Sequence, residues 1–204
     1  MEKKPYLTKK EAALLLGKKN SNLNKKILTL LKNDYLVSLK KGLYTTKAYA
    51  SANKGAEEYF SNILYYPSYL SLEYVLQKNG LIPEAVFAYT SVSRKAPRVF
   101  HNSFGTFSYR KIKENIFNGY LSVDYAPGLK VKIATPAKAL FDYLYFKPLH
   151  SVSDLEKIKD LRINYGLINK DFWEELEGYI KNSHSPKMNK IFRLVKKDYD
   201  IKST

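Results

Sequence analysis

Residues 20–46 read NSNLNKKILTLLKNDYLVSLKKGLYTT, and this stretch decides the fold. Leu23, Ile27, Leu30 and Leu31 fall at i, i+4, i+7 and i+8, which is one helical stripe. Asn20 or Ser21 suits the N-cap of that helix, and Asn33-Asp34 ends it. At about 100° per residue, the opposite face carries Ser21, Asn22, Lys25, Thr29 and Lys32, with Lys26 on its flank. Two short β-prone pieces follow, residues 35–39 and 43–46, around the basic turn Lys40-Lys41-Gly42.

Just ahead of this stretch, Thr8-Lys9-Lys10-Glu11 has the form of a capping box. Ala12, Ala13, Leu15 and Leu16 then give a short apolar face, and Gly17 stops the helix. Helix, tight turn, longer helix with a polar-basic outer face, then a hairpin: this is the order of a winged helix-turn-helix, expected over residues 1–54. Residues 1–7 are too few for the further helix such a unit usually carries ahead of these. The amphipathic segment 55–66 is therefore expected to act as a connecting helix that packs back and completes the small core. The small, polar residues 47–55 read as a linker.

From Pro67 the texture changes, and residues 67–204 read as an α+β domain with several late helices. A helix is expected at 71–79, strands at 85–92, 98–100, 106–111 and 130–135, and helices at 136–146, 153–161, 170–181 and 187–198. Pro136 suits the first turn of its helix. The fold class expected is thus α+β, a winged helix-turn-helix followed by a mixed C-terminal domain.

The charge is the strongest compositional signal, with 35 Lys+Arg against 19 Asp+Glu and a net charge of +16. Such a field draws in polyanions, with nucleic acid ahead of an anionic membrane surface or an acidic protein. The charge is concentrated: residues 1–54 hold 13 lysines, no arginine and three acids, a balance of +10. Residues 94–138 hold nine bases and two acids, +7. Ser21, Asn22, Lys25 and Thr29 are candidates for base or near-base contacts, and Lys26, Lys32, Lys40 and Lys41 for phosphates. Arg94, Lys95, Arg98, Arg110, Lys111 and Lys113 form a candidate second basic surface. The plainer reading of all these residues is a solvated lysine-rich face. No arginine precedes Arg94, so the bidentate arginine–guanine contact is closed to the first unit. Lysine can reach guanine and Asn22 or Asn24 can pair with adenine, and an A·T-leaning, salt-sensitive site is expected.

There is no cysteine, which excludes disulfides, thiolate metal sites and cysteine nucleophiles. No run of about 18 apolar residues is present, so no membrane span is expected. The N-terminal residues lack the apolar core and cleavage site of a signal peptide, and a cytoplasmic location is expected. No cofactor and no metal are expected: His101, His150 and His184 lack ligand spacing, and no phosphate-binding or nucleophile motif occurs. Asp124 and Asp142 flank a strand that carries Lys130 and Lys132, a loose echo of a metal-dependent nuclease. A solvated edge is the simpler reading, and the expectation is that the chain is not an enzyme. The 18 tyrosines, Tyr65, Tyr66, Tyr69 and Tyr74 among them, are read mainly as core. Glu174, Glu175 and Glu177 are read as a solvated helix face.

Several segments together resemble a known family. YLTKKEAALLLG and ILTLLKNDYLVSLKKGLYTT are similar to the N-terminal winged helix of AbiEi-type antitoxins. PSYLSLEYVLQKNGLIPEAVFAYTSV resembles the segment after that family's linker. GTFSYRKIKENIFNGY and VKIATPAKALFDYLY resemble its strand, F-x-G-Y step and IATPEKALLD element, with Ala137 where the family usually has glutamate. The resemblance spans nearly the whole chain. It implies a repressor of a phage-defence (abortive infection) operon that binds inverted repeats in its own promoter as double-stranded DNA. It also implies an antitoxin against a nucleotidyltransferase-type toxin, often countered in this family without a stable complex. The rival readings are a regulator of the same architecture without a toxin partner, a nucleic-acid-processing enzyme using Asp124, Asp142 and Lys132, and an RNA-binding module.

Overall fold

Thr8 closes the first turn of the first helix in both directions. Its hydroxyl accepts from the Glu11 amide at 3.3 Å, and its own amide donates to the Glu11 carboxylate at 2.8 Å. The computed structural model, which describes residues 5–53, 55–126, 129–148 and 155–203, thus contains the capping box that the sequence predicts. Strand β1 (Leu7–Thr8) leads into helix α1 (Lys9–Leu16), which ends on Gly17 in the left-handed region. Helix α2 (Asn20–Lys32) buries Leu23 and Ile27, with Leu30 and Leu31 packed beside them. It begins one step earlier than the cap chemistry predicts. Lys19 is the N-cap without a side-chain bond, so Asn20 and Ser21 lie inside the first turn. Leu15 also departs from expectation and is 75 % exposed. The core-facing stripe of α1 is buried Ala12 with half-buried Ala13 and Leu16, and Leu15 falls outside it.

Strands β2 (Leu36–Lys40) and β3 (Leu43–Thr46) form the hairpin, with Gly42 at φ +79° in its turn. Strand β1 pairs with β3, giving a three-stranded antiparallel sheet in the order β1-β3-β2. This hairpin has two apolar faces. Leu36 and Tyr44 join Ala12, Leu23 and Ile27 in a small core, whereas Leu39 and Leu43 join the large core of the rest of the chain. Odd spacing along a strand sends side chains to opposite faces, and Leu36/Leu39 and Leu43/Tyr44 both have it. Asn102 fixes the outer face by donating to the Leu39 carbonyl at 2.9 Å.

Where a linker is expected, residues Lys47–Ala52 form helix α3, capped by Thr46. Ala48, Ala50 and Ala52 are strong helix formers, and their small size is what makes the segment look like a loop. Helix α4 (Ala56–Leu64) also departs from expectation: Ala56, Tyr59, Phe60 and Leu64 enter the large core, not the small one.

The large core is built on a six-stranded mixed sheet. Strand β4 (Ser68–Leu70) leads to helix α5 (Leu72–Lys78), then come β5 (Ala88–Ser93), β6 (Arg98–Asn102), β7 (Gly105–Lys111), β8 (Tyr120–Ala126) and β9 (Leu129–Ala134). The spatial order is β6-β7-β5-β4-β9-β8, with β5/β7 and β4/β9 parallel. Strand β5 starts three residues later than expected, leaving Phe87 90 % exposed. Strands β4 and β8 are unforeseen. The first has three residues, all buried, and the second is an edge strand whose burial never alternates.

Helix α6 (Pro136–Phe146) starts on Pro136, as expected, with Thr135 capping the Lys138 amide at 3.1 Å. Helices α7 (Leu155–Lys159), α8 (Lys170–Asn182) and α9 (Pro186–Ser203) complete the chain. Residues 153 and 154 of the expected seventh helix lie outside the described residues. Helix α6 packs on α5, α8 and α9. The architecture is α+β, and among the described residues no helix is long and apolar enough to cross a membrane.

A charged pair holds the centre. Lys138 and Asp142, one turn apart on α6, are both fully buried and meet at 2.8 Å. The other Asp142 oxygen accepts from Tyr69 at 3.0 Å and Ser71 at 2.7 Å, and Lys138 also donates to the Ile116 carbonyl at 2.8 Å. Burial pushes the carboxyl up and the ammonium down, while their contact opposes both shifts. The pair ties α6 to β4, α5 and the loop before β8. Next to it, Gly119 at φ +71° lets the chain pass under Tyr179, where a Cβ would lie 2.5 Å from the tyrosine oxygen.

Candidate nucleic-acid interface

Helix α2 presents one face to its core and the other to solvent. Ser21, Asn22, Lys25, Lys26, Thr29 and Lys32 are all exposed. The helix contains no acidic residue, and among the described residues none of its lysines is in an ion pair. Lys32 lies in the last turn, where the helix dipole favours a cation. The Thr29 hydroxyl donates to the Lys25 carbonyl at 3.0 Å, which fixes its rotamer and leaves its lone pairs outward. This face is positive and mostly polar, with Leu28 the one large apolar side chain exposed on it, 65 %, and the buried stripe behind it holds it in place.

The hairpin turn divides its two lysines. Lys41 is exposed at the tip. Lys9 joins it there, because its amide donates to the Gly42 carbonyl at 2.9 Å and its Cβ lies 3.9 Å from where a Gly42 Cβ would be. Sequence reasoning missed Lys9, whose position depends on β1 pairing with β3. Lys40 turns the other way. Its ammonium donates to the Leu64 carbonyl at the end of α4 and lies 5.6 Å from the Phe100 ring centroid. Burial, then the nearby charges of Lys95 and Arg98, lower its pKa.

Lys40 is therefore where the two basic regions of the sequence meet. Arg98 sits on the same Phe100 ring at 5.6 Å, and Lys95 lies over Tyr65 at 5.5 Å. The rest of the proposed second surface is split. Arg94 pairs with Glu114, and Arg110 pairs with Glu73 at 3.4 Å. Lys111 and Lys113 are exposed.

The residues that suggest hydrolytic chemistry fall in unlike environments. Asp124 is exposed on β8 and pairs with Lys130 at 3.1 Å, whereas Asp142 is sealed in the core. Among the described residues no group of three or more His, Asp or Glu is placed to hold a metal ion. His101 meets the Thr106 hydroxyl at 3.1 Å, and His150 lies outside the described residues. The acidic run on α8 is engaged: Glu175 accepts from Thr135 and Tyr179, Glu174 pairs with Lys170 and Glu177 with Lys181. The Lys138–Asp142 pair is the main feature missed by sequence reasoning. Its signal was a basic and an acidic residue four apart on a helix otherwise apolar around its whole circumference. No protein-family model matches the chain, and no curated protein matches it.

Proposed function

We propose that the chain is a DNA-binding repressor in which residues 1–54 act as a winged helix-turn-helix. Helix α2 enters the major groove, and the Lys41 turn, joined by Lys9, lies along the adjacent phosphate backbone. The observation that carries this reading is the outer face of α2, with six exposed polar or basic side chains and no acid. Lys40 is left out of the contact, because its ammonium is held inside. Ser21, Asn22, Lys25 and Thr29 stand nearest the base edges, and Lys26 and Lys32 neutralise phosphates. Promoter occupancy blocks transcription of the chain's own operon.

The antitoxin role and the nucleotidyltransferase-type toxin rest on the resemblance of the C-terminal segments to AbiEi-type antitoxins. The test is footprinting of the DNA upstream of the gene, together with co-expression with the neighbouring gene. Protection of an A·T-rich inverted repeat and rescue of growth are expected. A footprint whose tightest determinants are G·C pairs contradicts the DNA reading. A neighbour that is harmless when expressed alone contradicts the antitoxin reading and leaves a regulator without a toxin.

A further inference from the structure

Where the hairpin turn, helix α4 and strands β4 and β9 meet, the molecule forms a half-open cleft of about 510 Å³. That volume lies in the range of small-molecule sites. Its lining holds three lysines (Lys40, Lys130 and Lys132), three tyrosines (Tyr6, Tyr59 and Tyr66) and, among the described residues, no carboxylate. Lys130 is balanced by Asp124 at 3.1 Å. Lys40 and Lys132 have no carboxylate partner among the described residues. Lys40 donates one hydrogen bond to the Leu64 carbonyl, which leaves two N–H donors. Lys132 is held at its backbone by Asn62, which bonds both its N–H and its C=O. Its ammonium lies 5.5 Å from the Tyr66 ring centroid and 5.4 Å from that of Tyr120.

A second, independent feature marks the cavity. Ser68 lines it, is 2 % exposed, and its hydroxyl has no hydrogen-bond partner. Buried hydroxyls are nearly always paired, and one left unpaired is destabilising. A polar group of a ligand that reached this hydroxyl would give it a partner. The other requirement is a flat surface: Tyr66 lines the cavity with its side largely open, 66 % exposed.

We propose that this cavity binds a mononucleotide, with its phosphate on Lys40 and Lys132, its base against Tyr66, and a polar group on the Ser68 hydroxyl. Two unneutralised ammonium groups in a half-buried site select a phosphate, because charge-assisted hydrogen bonds strengthen away from water. A tyrosine face accepts any base, so little preference among bases is expected. The site stands apart from the exposed face of α2 and does not depend on the repressor reading.

Isothermal titration of the full chain with the four ribonucleoside monophosphates, adenosine and inorganic phosphate tests it. Saturable binding of the monophosphates is expected, with adenosine and phosphate each far weaker. Lys132→Gln and Tyr66→Ala should each weaken the monophosphate roughly tenfold. Ser68→Ala should also weaken it while leaving the thermal midpoint of the free protein unchanged or raised, because it removes an unpaired hydroxyl. A merely structural Ser68 would lower that midpoint. No saturable binding of any monophosphate at millimolar concentration overturns the proposal. So does equal binding by wild type and all three variants, or binding of duplex DNA that these variants weaken while monophosphates neither bind nor compete.

Discussion

Lys40 and Lys41 are adjacent, carry the same charge and do different work. Lys41 is solvated at a turn, so Lys41→Ala should leave stability within about 0.5 kcal/mol. Lys40 bonds a backbone carbonyl across the junction between the hairpin and α4. Lys40→Ala should cost about 1–2 kcal/mol, read as a shift in the urea midpoint. Equal midpoints for the two variants would mean that the junction bond contributes nothing. Lys138 and Asp142 set a larger stake. Asp142→Ala leaves a buried ammonium uncompensated and should cost about 3–5 kcal/mol in urea unfolding. Replacing both residues with apolar ones of similar volume should recover most of that loss. A mild Asp142→Ala variant would show that water reaches the pair. The contrast between Lys40 and Lys41 is not legible in the sequence, whereas the i, i+4 spacing of Lys138 and Asp142 on an apolar helix is. A run of two lysines looks like one feature, and only the three-dimensional neighbours of Leu64 and Phe100 separate them.

Elements with a clean period were legible. The stripe of α2 and the capping box of α1 are local patterns, and the folded chain keeps both. The hairpin was legible as strands but not as a two-faced wedge, although adjacent Leu43 and Tyr44 already place apolar residues on both faces. Strand β8 carries an apolar–polar alternation, Leu121-Ser122-Val123-Asp124-Tyr125, that marks a strand and that sequence reasoning missed, and α3 was hidden by its small residues. Of the candidate site, the outer face of α2 was visible from spacing alone. The inward turn of Lys40 and the arrival of Lys9 were not, because each depends on contacts far along the chain. The proposed DNA contact belongs to this scale. Lys26→Ala combined with Lys41→Ala should weaken binding to specific and random duplexes alike. It should also flatten the slope of log K against log salt by about 2. An unchanged slope would place the phosphate contacts elsewhere.

At the scale of the whole molecule, the hairpin joins two cores, so the basic unit is not tethered loosely to the sheet. Lys40, Lys95 and Arg98, from regions more than fifty residues apart, share one aromatic cluster around Tyr65 and Phe100. Tyrosine supplies much of the large core, and burial pushes Tyr59 and Tyr125 up to about 12 and raises Tyr69, Tyr109 and Tyr165 as well. A phenol whose pKa is raised by folding stabilises the fold fully below its ordinary value of 10.0. That contribution is lost as pH climbs through the folded value. Stability should therefore fall between about pH 10 and 12, with the tyrosinate absorbance of these buried phenols appearing only on unfolding. Free titration of all tyrosines near 10 in the folded chain would show that burial does not protect them.

The proposed function turns on whether α2 reads DNA. The direct measurement is fluorescence anisotropy of the duplex upstream of the gene, titrated with wild type and with Lys25→Ala and Thr29→Ala. All three proteins should have the same circular dichroism, since both residues are exposed. Each substitution is expected to weaken the promoter duplex by about 1–3 kcal/mol, with a smaller effect on random sequence. Promoter affinity equal to wild type in both variants would contradict the assignment of α2 as the reading helix.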